Sequence, residues 1–87
     1  MTFRIETAER GKFTVFVLSG RIDKQAIAEL KRLFDLQTGH RDIVLDLKDV
    51  SSIDREVIGF LTRCEADGTK LENCAPYIRE WMEREKD

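Results

Sequence analysis

The segment Ile43-Val44-Leu45-Asp46-Leu47 constrains this chain more than any other. It is almost continuously apolar and rich in branched side chains. Strands of this kind are covered on both faces and lie inside a parallel or mixed sheet. Residues 13–18, Phe-Thr-Val-Phe-Val-Leu, form a second strand of β-branched and aromatic character. Between the two, residues 24–36 place Ala26, Ile27, Leu30, Leu33 and Phe34 on one helical stripe, with Lys24, Glu29, Lys31 and Arg32 on the opposite face. Strand, amphipathic helix and strand make a βαβ unit, whose crossover is expected to be right-handed.

The remaining elements attach to this unit. Phe3, Ile5 and Thr7 alternate with Arg4 and Glu6, the pattern of a half-exposed edge strand. The turn signal at Glu9-Arg10-Gly11-Lys12 joins it to residues 13–18 as an antiparallel hairpin. Ser19-Gly20-Arg21-Ile22-Asp23 reads as a loop, with Gly20 free to turn left-handed and Asp23 as the N-cap of the first helix. Thr38-Gly39-His40 ends that helix. Val50-Ser51-Ser52-Ile53 reads as a loop leading to a second helix, capped by Asp54, whose buried face is Val57, Phe60, Leu61 and Cys64. Asp67-Gly68 stops it. Residues 69–73 read as a short fourth strand with Leu71 inward. Pro76 opens a C-terminal helix with Ile78, Trp81 and Met82 on one face, which Trp81 is expected to anchor. The order β-β-α-β-α-β-α predicts an α/β fold, a small mixed sheet with helices packed mainly on one side, as a single domain over residues 1–87.

Composition narrows the function classes. With 41% hydrophobic and 37% charged residues, the chain is too apolar for disorder and too charged for a membrane protein. Its 15 basic and 17 acidic residues are interspersed, so neither a nucleic-acid stripe nor a polybasic membrane patch forms. No apolar run approaches a membrane span, and the N-terminus lacks the apolar core of a signal peptide, so a cytoplasmic location is expected. Cys64 and Cys74 each fall on an apolar stripe and read as buried free thiols.

Catalysis needs converging groups, and the sequence supplies none. His40 sits in a polar loop beside Arg41. Ser19, Ser51 and Ser52 lie in no nucleophile elbow, and no glycine-rich phosphate loop is present. Asp46, Asp49 and Asp54 bracket one strand end as a weak carboxylate cluster, each with an ordinary structural role available. The reading is therefore non-catalytic, with no cofactor and no metal.

Two segments carry a family resemblance: Phe16-Val17-Leu18-Ser19-Gly20-Arg21-Ile22-Asp23, and Ile43-Val44-Leu45-Asp46-Leu47-Lys48-Asp49-Val50-Ser51-Ser52-Ile53-Asp54. In this order and separation they resemble the STAS domain, shared by bacterial anti-sigma factor antagonists and the cytosolic tails of sulfate transporters. The resemblance covers residues 3–65 clearly and the remainder, abbreviated after Thr69, loosely. It implies a non-catalytic regulatory switch that binds a protein partner, an anti-sigma factor or kinase-like regulator, and in some members nucleotides. It also implies a phosphoacceptor serine or threonine just after the capping Asp. Here Asp54 matches the cap, but Arg55 stands at the phosphoacceptor position, Glu56 follows it, and Val57 replaces a glycine, while Gly59 is kept. Arginine has no hydroxyl to phosphorylate.

The resemblance places partner binding at Gly20, Arg21, Asp23, Asp54, Arg55, Glu56 and Gly59. Glu56 adds charge in the first helical turn, where the dipole favours an anion. Two alternatives stand beside a partner-binding module: a small-ligand or nucleotide sensor, which Glu56 would oppose at this helix start, and a homodimer formed through the exposed first strand or Trp81.

Overall fold

A computed structural model of the protein describes residues 3–36 and 42–85. The helix end expected at Thr38-Gly39-His40 lies outside the described residues. The elements run β1 (Phe3–Arg10), β2 (Phe13–Ile22), α1 (Lys24–Leu36), β3 (Asp42–Ile53), α2 (Arg55–Ala66), β4 (Lys70–Glu72) and α3 (Pro76–Glu85). One mixed sheet orders the strands β1-β2-β3-β4. β1 pairs antiparallel with β2, while β2–β3 and β3–β4 are parallel. The expected element order and sheet type are those observed.

The alternation of each strand decides which residues meet the helices. Phe16 and Leu18 of β2 lie opposite Leu45 and its neighbours in β3. They join Ala26 and Leu30 of α1, Val57, Ile58, Phe60, Leu61 and Cys64 of α2, and Ile78 and Met82 of α3 in one buried cluster. All three helices thus feed a single core on one face of the sheet. The Phe34 ring bridges Phe16 and Phe60, with centroids 5.6 and 6.1 Å away, fixing α1 against both the sheet and α2.

The opposite face has no helix among the described residues, yet Val15 and Val44, paired across β2 and β3, are buried there as well. Arg10 and Glu72, from the two outer strands, meet at 2.7 Å across this face. Beside them, Asp46 accepts hydrogen bonds from the Asn73 side chain and the Lys48 backbone N–H. Burial works against its charged form, but these donors, with the charges of Lys48 and Arg10, hold its carboxyl below the ordinary value.

Both central strands run further than the sequence suggests. Ser19-Gly20-Arg21-Ile22 is not a loop but the end of β2, and Val50-Ser51-Ser52-Ile53 is not a loop but the end of β3. Parallel pairing holds them together, with Gly20 opposite Val50 and Ile22 opposite Ile53, and register shifts at Val17/Ser19 and Gly20/Arg21 absorb the irregularity. Gly20 adopts φ +83°, a backbone open to glycine at no steric cost, as its position in the motif suggests.

The end of α2 follows the expected stop. Asp67 is the C-cap, and Gly68 takes φ +103° as the chain leaves the helix. The C-terminal helix departs from expectation in its anchor: Ile78 and Met82 are fully buried, whereas Trp81 packs half-buried at the margin. A salt bridge from Arg79 to both carboxylate oxygens of Glu65, each at 2.9 Å, adds a polar tie between α2 and α3.

The two thiols are free, Cys64 buried and Cys74 half-buried. Burial pushes the Cys64 thiol from 9.0 up to about 11, with Asp67 adding to the effect. The raised value favours the neutral thiol in the folded chain. Its contribution to stability is full below the unfolded value and is lost as pH rises from about 9 to about 11. Under native conditions near neutral pH, a thiol reagent such as DTNB should label Cys74 before Cys64, and Cys64 only as the chain opens. Equal rates would contradict this packing.

Candidate functional site

The site forms because β2 and β3 are parallel neighbours. Their C-terminal ends stop side by side, and each passes directly into a helix. Ile22 lies opposite Ile53, both buried, and the Asp54 N–H donates to the Ile22 carbonyl at 3.1 Å. The start of α1 and the start of α2 are thereby held at one end of the sheet. Clefts outside the carboxyl ends of parallel strands are where α/β sheets present functional residues.

The two capping aspartates behave differently. Asp23 Oδ1 accepts from the Gln25 and Ala26 backbone N–H groups, at 3.0 and 3.2 Å, as its residue type predicts. Asp54 occupies the N-cap position of α2 in an extended conformation, yet its side chain makes no capping hydrogen bond. Its carboxylate faces Arg21 instead, 3.8 Å from the guanidinium. The expected cap at Asp54 is thus a cap in backbone only, with the charge turned toward the neighbouring strand end. Asp23→Ala should cost about 1 kcal/mol. Asp54→Ala should cost less, since a solvent-exposed ion pair contributes roughly 0–1 kcal/mol. Thermal denaturation of the two variants would reveal the order, and equal losses would contradict it.

The remaining candidates surround this pair. Arg55 is exposed at the first position of α2, its Nε 3.6 Å from Glu85 at the end of α3. Glu56 is exposed in the first turn. Gly59 lies one turn beyond Arg55 on the same helical face. A Cβ there would meet nothing within 4 Å, so packing within the chain does not require glycine at this position. Arg21 and Arg55 keep most of their side-chain surface exposed, 60% and 79%. The structure therefore gathers Gly20, Arg21, Asp23, Asp54, Arg55, Glu56 and Gly59 at one end of the sheet, as an alternating display of positive and negative charge.

Sequence reasoning missed Glu85, which reaches Arg55 only because α3 folds back along α2, and Phe3, which pairs with Gly20 across the hairpin. Neither contact leaves a local sequence signal. Conversely, Asp46, Asp49 and Asp54 are not brought together. Asp46 is engaged with Asn73 and Lys48, and among the described residues no three His, Cys, Asp or Glu side chains form a group able to hold a metal ion. A groove of about 530 Å³ lies elsewhere, between β1 and α1. Among the described residues no helix is long and apolar enough to cross a membrane.

A sheet of this order, with three helices on one face and two helix starts side by side at its parallel end, is the architecture of a small α/β domain. The STAS domain model matches residues 4–83, so the chain belongs to the STAS domain family, and the match extends through β4 and most of α3. Comparison with curated proteins gives no match.

Proposed function

We propose that this STAS domain is a non-catalytic, regulatory protein-binding module of the anti-sigma factor antagonist type, and that its partner docks on the joined ends of β2 and β3. The observation that carries this reading is that Arg21, paired with Asp54, and Arg55, which follows Asp54 in the chain, are both largely exposed at this end of the sheet. An exposed guanidinium offers bidentate hydrogen bonds to a partner's carboxylates, and arginine is over-represented among residues that dominate interface energies. Glu56, beside Arg55, adds an acceptor at the helix start.

Arg55 stands where the family resemblance puts a phosphorylated hydroxyl. Binding at this surface is accordingly constitutive with respect to that position, set by fixed charges rather than by a kinase. A sigma-factor regulator of the kinase-like type is the partner class the resemblance favours, in the cytoplasm of a bacterium.

The test is a binding comparison between wild type and an Arg55→Ala, Glu56→Ala double variant. Both side chains are exposed, so the fold should be unaffected. Loss of the partner with an unchanged melting temperature supports the reading, and unchanged binding defeats it. A thermal-shift series with nucleotides examines the sensor reading in parallel. A flat response is expected, because a ligand of the native state would raise the melting temperature and the Asp54 and Glu56 carboxylates repel phosphate.

A further inference from the structure

The two edges of the sheet are unequal. At one edge β4 is three residues long, too short to template another strand. At the other, β1 presents eight residues, in an uninterrupted register with β2 and with its outer edge unpaired among the described residues. Its sequence, Phe-Arg-Ile-Glu-Thr-Ala-Glu-Arg, has no proline, lysine or bulge. Soluble proteins use such devices, and charged side chains, to blunt a free edge; of these β1 carries only charges, at Arg4, Glu6, Glu9 and Arg10.

The groove of about 530 Å³ runs along this same edge, lined by Phe3, Arg4, Ile5, Thr7 and Leu33 with Gln25 and Glu29. Phe3 and Ile5 are only half-buried there, and Leu36, at the end of α1, is 62% exposed. On the helix-free side the same strand carries Arg4 and Glu6, paired with each other at 3.2 Å and both open to solvent.

We propose that the free edge of β1 pairs with β1 of a second copy, antiparallel about a two-fold axis at Ile5, joining the two sheets into one. In this register Ile5 faces Ile5 of the second copy, and Phe3 faces its Thr7. Both contacts lie on the helix side, where the two apolar grooves meet. On the other side, Arg4 faces Glu6 of the second copy and Glu6 faces its Arg4, so the four charges alternate in sign. Opposite charges across a strand pair stabilise it and like charges oppose it. The neighbouring registers lack this match. An axis at Glu6 sets two glutamates face to face, and an axis at Thr7 sets Arg4 against Arg10. A two-fold operator requires such self-complementarity of a single patch. An axis at Ala8 also sets Glu6 against Arg10, but it leaves Phe3 and Ile5 outside the paired strands, so the axis at Ile5 is the register that matches both the charges and the apolar side. The proposal does not use Arg21, Asp54, Arg55 or Glu56 and touches the surface at the ends of β2 and β3 only through Phe3, the partner of Gly20.

Sedimentation velocity over a concentration series tests it, with the full chain and three variants. Wild type should show a concentration-dependent monomer–dimer equilibrium. Arg4→Glu and Glu6→Arg alone each set like charges opposite one another. Each should weaken the dimer by roughly tenfold or more while leaving the circular dichroism spectrum and melting temperature of the monomer unchanged. Mixing these two variants should restore a dimer, now heterotypic, because every acidic position then faces a basic one. The double variant Arg4→Glu, Glu6→Arg should restore a homodimer for the same reason. The proposal is overturned if wild type sediments as a monomer at every concentration, if it dimerises but both single variants dimerise equally well, or if the mixture stays monomeric.

Discussion

Phe16→Ala should leave the domain at or beyond the edge of unfolding, with a loss of about 3–5 kcal/mol. Phe16 is fully buried at the centre of β2 and lies opposite Leu45 of β3. Its ring also touches Phe34, which in turn stacks on Phe60 of α2. Truncation removes the sheet's aromatic contact to α1 and, through Phe34, to α2. The cavity falls among rigid strand neighbours that cannot collapse into it. A chain of 87 residues has a total stability of roughly 4–13 kcal/mol at ~0.05–0.15 kcal/mol per residue. A loss of this size is therefore a large share of the whole. Urea denaturation followed by circular dichroism should show the midpoint collapsing toward zero denaturant. A midpoint within a few tenths molar of wild type would mean that the aromatic bridge is not central to the core.

Met82→Ala should cost about 2–5 kcal/mol and release α3. Ten residues cannot hold a helix alone in water, since isolated helices shorter than about 12–15 residues are marginal. The packing of α3 falls chiefly on Ile78 and Met82, both fully buried. The salt bridge between Arg79 and Glu65 helps but is half-exposed, and such pairs contribute roughly 1 kcal/mol or less. Trp81, the sole tryptophan of the chain, sits beside Met82 at the half-buried margin and reports on this docking. Its emission should shift to longer wavelength in Met82→Ala, and the α3 amides should lose protection from hydrogen exchange while those of β2 and β3 keep more of theirs. An unshifted spectrum and undisturbed protection would show that α3 is held by something other than its buried face. The Arg55–Glu85 contact should also disappear in this variant, so partner binding is expected to change only to the extent that Glu85 orients Arg55.

The sequence is most legible where local chemistry and tertiary packing agree. Helix α1 runs over the residues its apolar stripe and the Asp23 cap predict, because both signals point to the same boundaries. Strand ends are less legible. Ser19-Gly20-Arg21 and Val50-Ser51-Ser52 carry turn-forming residue types, but parallel pairing between the two strands keeps both segments in the ladder, an instance of tertiary context overriding local preference. Asp54 illustrates the same limit at the site. Its residue type and position indicate a side-chain cap, and the arginine that draws its carboxylate away stands 33 positions earlier in the chain, the difference between 54 and 21. The sequence points to Trp81 as the α3 anchor, but periodicity alone does not say which of Ile78, Trp81 and Met82 lies deepest, and the fold buries Ile78 and Met82 instead. Gly20, Arg21, Asp23 and Asp54 are legible through the two motif segments, and Arg55, Glu56 and Gly59 through the helix start that follows Asp54, whereas the contribution of Glu85 needs the fold.

The central claim is that a protein partner binds at the start of α2 and the end of β2. The most direct measurement is a quantitative pull-down from lysate of the source organism, comparing wild type, Arg55→Ala with Glu56→Ala, and a Lys31→Ala control on the exposed face of α1. A specific regulatory protein should be retained equally by wild type and the control and lost, by tenfold or more, from the double variant of unchanged stability. Retention of that protein by all three chains would contradict the account and place the binding surface elsewhere on the domain.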